Sequence, residues 1–112
     1  MQKYNKNKNY QKLKEYFFLN GKQLNFSVGQ LLTTKDYVTG QVFLIKSGEA
    51  RLIDEVDGGK STISNLICGD FIGIASILGG KPLEEVRAKR NLIVYSISDI
   101  EFQGIYQKNE YV

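Results

Sequence analysis

Glycine punctuates this chain at nearly even intervals: Gly29, Gly40, Gly48, Gly58-Gly59, Gly69 and Gly79-Gly80 lie eight to eleven residues apart. Turn residues at that spacing leave room for one short strand between each pair, the pattern of a sandwich, jelly roll or barrel. The intervening runs suit strands. Leu24-Asn25-Phe26-Ser27-Val28 alternates apolar and polar residues, as a half-buried strand does. Val42-Phe43-Leu44-Ile45 is continuously apolar, as a strand covered on both faces must be. Glu49 to Ile53, Thr62 to Ile67, Val86 to Lys89 and Leu92 to Ile97 continue the series, and Asp57-Gly58-Gly59 reads as a hairpin tip.

Helical signals occur at three places. Tyr10, Leu13 and Phe17 recur at the spacing of one helical face, and Asn20-Gly21 supplies a stop, which predicts a helix over Tyr10 to Leu19. Ile74, Ile77 and Leu78, bounded by glycines, predict a single helical turn between strands. Ser98 followed by Glu101 forms a capping box, predicting a last helix that ends near Tyr106. The expected fold is therefore mainly β: an antiparallel jelly roll (β-roll, or double-stranded β-helix) with short flanking helices at both ends and one helical turn inserted.

At 112 residues the chain is long enough for one packed domain and too short for two. Lys3, Lys6, Lys8, Lys12 and Lys14 crowd the first fourteen residues without an acid, and the rest carries ten basic and twelve acidic side chains, a net of −2. Residues 1–9 are mostly asparagine and lysine and are expected to form a disordered basic leader, with a single domain over 10–112. Beside that leader, Tyr4 and Tyr10 are the only aromatics available for base stacking, so nucleic-acid binding is not expected.

Histidine is absent, which removes the commonest general base and metal ligand and every Ser-His or Cys-His nucleophile pair. Cys68 is the sole cysteine, so no intrachain disulfide or paired-thiol zinc site can form, and it is expected to be a small buried side chain. Glu84 and Glu85 are adjacent on an expected strand, point to opposite faces, and are read as surface charge. An enzyme is not expected, nor is a metal or other cofactor. No apolar run approaches the ~20 residues of a membrane span and no signal peptide is visible, so a reducing, cytoplasmic setting without direct membrane insertion is expected.

The segment Gly69-Asp70-Phe71-Ile72-Gly73 followed by Val86-Arg87-Ala88-Lys89, together with Phe26-Ser27-Val28-Gly29 and Val42 through Ala50, resembles the cyclic-nucleotide-binding domains of the catabolite-activator and protein-kinase-regulatory family. The resemblance runs from about Leu24 to Tyr106. It implies a β-roll holding a phosphate-binding cassette, here Gly73, Ile74, Ala75 and Ser76. The free N–H groups of such a turn favour an anion, although a glycine-bounded apolar turn can equally serve only to close the roll.

Two departures stand out. Members that bind cyclic AMP or GMP carry a glutamate after the cassette glycine for the ribose hydroxyl, and an arginine ahead of the closing strand for the phosphate. This chain has Ile74 and Pro82 at those positions. One charge-assisted contact is worth about 1.5–3 kcal/mol, so their loss predicts that neither nucleotide binds in the usual way. Leu52, Ile63, Ile74 and Leu83 are expected to line and shrink the old site, with Ser64 and Ser76 as its nearest polar groups. In strict alternation with Val86 and Ala88, Arg87 is expected to face solvent and to pair with an acid.

The expected function is regulation or sensing, either of a small anion at a degenerate nucleotide site or of nothing at all. The alternative is a pure interaction or dimerisation module with a filled pocket. Having no room after Tyr106 for an effector, the domain is expected to act as a free subunit, as a homodimer, or as part of a larger protein. Glu49 to Ile53, Ala75 to Leu78 and Glu84 to Ala88 look like the regulatory segment of some cyanobacterial toxin- or peptide-secretion ABC exporters. That likeness implies attached transporter domains at the cytoplasmic face of the inner membrane.

Overall fold

Helix α1 (Lys8–Asn20) begins just ahead of the expected Tyr10 and stops where Asn20-Gly21 was expected to stop it. The computed structural model describes residues 8–107, with side chains from Tyr10 onward. The leader expected over 1–9 thus lies, for residues 1–7, outside the described residues, while Lys8 and Asn9 open the helix. Leu13 and Phe17 are buried and share a face.

Eight strands follow: β1 (Lys22–Phe26), β2 (Leu31–Thr33), β3 (Gln41–Ser47), β4 (Ala50–Val56), β5 (Gly59–Leu66), β6 (Phe71–Ile72), β7 (Glu85–Ala88) and β8 (Leu92–Ser98). Helix α2 (Ile74–Gly79) sits between β6 and β7, and α3 (Asp99–Gln107) closes the described chain. Two four-stranded sheets form, in the orders β1-β8-β3-β6 and β2-β7-β4-β5, every pairing antiparallel. This is the expected β-roll. The short strands β2 and β6 were not expected, because three and two residues carry no readable period.

The continuous apolar run of β3 has the predicted cause. Phe43 and Ile45 face the cluster between the sheets, with Leu32, Ala50, Ile72, Val86, Ala88, Leu92 and Val94. Val42 and Leu44 face the other way, into a second cluster with Leu13 and Phe17 of α1, Ile77 of α2, and Phe102 and Ile105 of α3. The middle of β3 in the first sheet is therefore covered on both faces. The second contributes Ala50, Leu52, Leu66, Val86 and Ala88 to the inner cluster, while Arg51 and Arg87 alternate with them on its outer face.

The hairpin between β4 and β5 turns through Asp57 (φ 51) and Gly58 (φ 82), two consecutive positive values that a two-residue type I′ turn requires. At the far end, the Glu101 N–H donates to Ser98 Oγ at 3.0 Å, which makes half of the expected capping box. The Glu101 carboxylate instead accepts from the Tyr16 hydroxyl and so ties α3 to α1.

Candidate functional site

Strand β6 delivers the chain to Gly73 at φ 98, a left-handed conformation in which a Cβ would also lie 3.1 Å from the Gln41 carbonyl oxygen. Only glycine meets both conditions without strain. Helix α2 follows, and Gly80 (φ 71) ends it by donating its N–H to the Ser76 carbonyl at 2.9 Å. Ser76 is buried, and its hydroxyl oxygen accepts the Leu83 N–H at 3.0 Å. One donor of the cassette loop is thereby used within the chain instead of being left for a ligand.

The expected site residues do not all converge. Leu52 is half-buried against the inner cluster, opposite Ser64 of β5 and Val86 of β7. Ile74 packs against the other cluster, beneath the helices, so these two aliphatic residues do not share one packed wall. The register between β4 and β5 shifts from Leu52↔Ser64 to Ile53↔Thr62, which leaves Ile63 as the extra residue of a β-bulge. Ile63 remains 53% exposed and Leu83 45% exposed, while Ser64 and Ala75 are exposed as well. The four aliphatic residues expected to line the old site thus lie in different settings: the bulge leaves Ile63 outside the ladder, and Leu83 is tethered by its N–H to α2. Gly73, Ile74, Ala75 and Ser76 do form the expected glycine-initiated turn.

Glu84 and Glu85 are not simple surface charges. Glu84 is half-buried, and desolvation raises its carboxyl above the usual glutamate range. It makes no ion pair among the described residues, although its carbonyl accepts the Thr33 hydroxyl at 3.0 Å. The Glu85 side chain is 12% exposed and bonds to Arg87 Nε at 2.9 Å and Lys60 Nζ at 3.0 Å, which hold its carboxyl below that range, Arg87 first. Counting back from Val86 by twos places Glu84 on the inward side of the strand. That alternation was the available signal for its burial.

Cys68 is exposed, contrary to expectation. It sits in the turn between β5 and β6, where Asp70 accepts the Ile67 N–H at 2.8 Å and donates its own N–H to the Ile67 carbonyl at 2.9 Å. A turn closed in this way runs over the surface. Among the described residues no group of three His, Cys, Asp or Glu side chains could hold a metal ion, and no helix is long and apolar enough to cross a membrane.

The family model of the cyclic nucleotide-binding domain matches residues 23–109. No curated protein sequence matches the chain. Among solved structures, a cyclic nucleotide-binding-like protein from Brucella abortus is similar at TM-score 0.68 and 21% identity, over 83% of this chain and 81% of that one. The catabolite activator protein of Thermus thermophilus is similar at TM-score 0.74 and 16% identity, over 89% of this chain and 48% of that one. The regulatory subunit of a cAMP-independent protein kinase A from Trypanosoma brucei is similar at TM-score 0.64 and 14% identity, over 80% of this chain and 38% of that one. The chain thus spans less than half the length of the latter two.

Proposed function

Because the chain belongs to the cyclic nucleotide-binding domain family, we propose that it is a regulatory domain whose cassette does not take cyclic AMP or cyclic GMP in the usual way. The observation that carries this reading is the state of the cassette. The Leu83 N–H is spent on Ser76 Oγ, and Ile74, where ligand-binding members carry glutamate, packs into the helix-side cluster. Pro82 stands where the phosphate-binding arginine would be and has no donor to offer. Glu84, half-buried two residues later, is poorly placed beside an incoming phosphate, because two anions in a desolvated site repel each other. The Trypanosoma brucei neighbour, described as cAMP-independent, offers a parallel for this fold without that dependence.

A domain of this kind acts through what it is joined to or docks on. An attached ABC exporter, suggested by Glu49 to Ile53, Ala75 to Leu78 and Glu84 to Ala88, is the effector proposed, with the domain at the cytoplasmic face of the membrane. In that arrangement residues 10–112 form the regulatory unit and 1–9 a basic leader.

Isothermal titration calorimetry with each nucleotide tests the ligand reading. The expected result is no binding at micromolar concentrations. A dissociation constant near ~1 μM, about −8 kcal/mol, overturns it.

A further inference from the structure

The outer face of the second sheet carries an arrangement that the fold does not explain. Arg51 of β4 and Arg87 of β7 stand directly opposite each other in register. Like charges paired across strands disfavour the sheet. Glu85 offsets only part of this, since its carboxylate already serves both Arg87 Nε at 2.9 Å and Lys60 Nζ at 3.0 Å. Arg87 is further fixed by donating Nη1 to the Gly29 carbonyl at 2.9 Å. Arg51 has only a neutral acceptor, Thr62 Oγ1 at 3.3 Å, and no carboxylate partner among the described residues.

These groups border one cavity of about 290 Å³, whose rim is Arg51, Lys60, Thr62, Glu85 and Arg87 and whose floor includes the buried side chain of Ile53. Three cations face one carboxylate, so the cavity has a surplus of positive charge. A neighbouring cavity of about 320 Å³ shares Lys60, Glu85 and Arg87 and continues past the Lys35–Asp54 ion pair to Asp36 and Glu55, so it has room only for a neutral or cationic part of a ligand beyond its anionic head.

We propose that this face holds a binding site for a small oxyanion, a phosphate or a carboxylate group, clamped by Arg51 and Arg87 with Lys60 and Thr62 beside it. A planar guanidinium presents paired donors to such a group, and an anion between the two arginines turns their repulsion into attraction on both sides. The anchoring of Arg87 by Glu85 and Gly29 means that one arm of the clamp is ordered before binding. Val86 and Ala88, which alternate with Arg87, point into the inner cluster, so this site lies on the solvent side of the second sheet, and none of the residues lining it belongs to the cassette.

The test follows the arginine Nε–Hε and backbone amide signals by NMR while inorganic phosphate, and separately malonate, is titrated at constant ionic strength, which holds screening fixed. The expected result is saturable movement of the Arg51 and Arg87 signals with at least one of the two anions, and the one that saturates identifies the head group. Arg51→Gln should weaken that binding about tenfold or more, while Lys46→Gln, on the other sheet, should leave it unchanged. No saturable movement with either anion overturns the proposal. So does an affinity indifferent to Arg51→Gln, or movement confined to Gly73, Ser76 and Leu83.

Discussion

The two sheets of this roll are built on the same antiparallel plan but are solvated differently. The first is apolar on both faces at its centre, Val42 to Ile45, because α1 and α3 cover the side that the second sheet does not. The second packs its apolar cluster inward, and its outer face carries Arg51, Lys60, Glu85 and Arg87 around Ile53. The difference separates stability from adaptability. Residues under the helices are held from all sides, whereas the second sheet can change its outer residues and its edge strand β5 at little cost to the fold.

The largest effect that would break this comparison is expected under the helices. Phe17 is fully buried in the helix-side cluster, so Phe17→Ala should destabilise the fold by about 3–5 kcal/mol in urea denaturation. A loss below ~1 kcal/mol would mean that α1 is not part of the cooperative unit. Next comes Gly73, where the left-handed backbone alone costs a side chain about 1–2 kcal/mol, and the 3.1 Å approach to Gln41 adds to it. Gly73→Ala should therefore lower the denaturation midpoint clearly, while Gly40→Ala, whose Cβ would meet nothing within 4 Å, should not.

Smaller effects of opposite sign are expected from the adjacent glutamates. Glu84 holds its proton more tightly folded than unfolded, so its burial costs stability as pH rises from the ordinary glutamate range through its raised folded value. Glu84→Gln should then stabilise the protein at pH 7, and the gain should vanish below about pH 4. Glu85 is the reverse: its folded value is lowered, so its contribution is present at neutral pH and fades as pH falls through that lowered value. Glu85→Gln should destabilise at pH 7 and lose its effect in acid. Melting curves across that pH range decide both, and equal signs for the two would show that they do not occupy opposite sides of the strand. Smallest of all, Ile63→Ser on the exposed bulge should change stability by less than about 0.5 kcal/mol.

Much of this division was legible in the sequence. The four apolar residues Val42 to Ile45 announced a strand covered on both sides, and alternation around Val86 announced the outward arginine with its acidic partner. The turn at Asp57-Gly58 could be read because consecutive positive φ values strongly favour such residues. The bulge at Ile63 could not be read, because a register shift depends on how β4 and β5 align and changes no local pattern. Cys68 was misplaced for a related reason. A type-wide preference for burial says nothing about a residue set in a surface turn by Asp70. The Ser76–Leu83 hydrogen bond joins residues on either side of the Gly79-Gly80 turn and becomes visible only when the loop is folded.

That hydrogen bond is where the account of the cassette is most exposed. If the Leu83 N–H is committed to Ser76, and Pro82 stands where the arginine would be, cyclic AMP loses both that donor and the charge that would hold its phosphate. A site-resolved NMR titration with cyclic AMP, read at the amides of Gly73, Ile74, Ser76 and Leu83, tests this directly. The predicted result is that these four signals do not shift in a saturable way up to about 1 mM nucleotide, which bounds any binding to weaker than ~4 kcal/mol. Saturable movement of the Leu83 amide with a micromolar midpoint would contradict it, and would show that Ser76 yields its bond to the ligand.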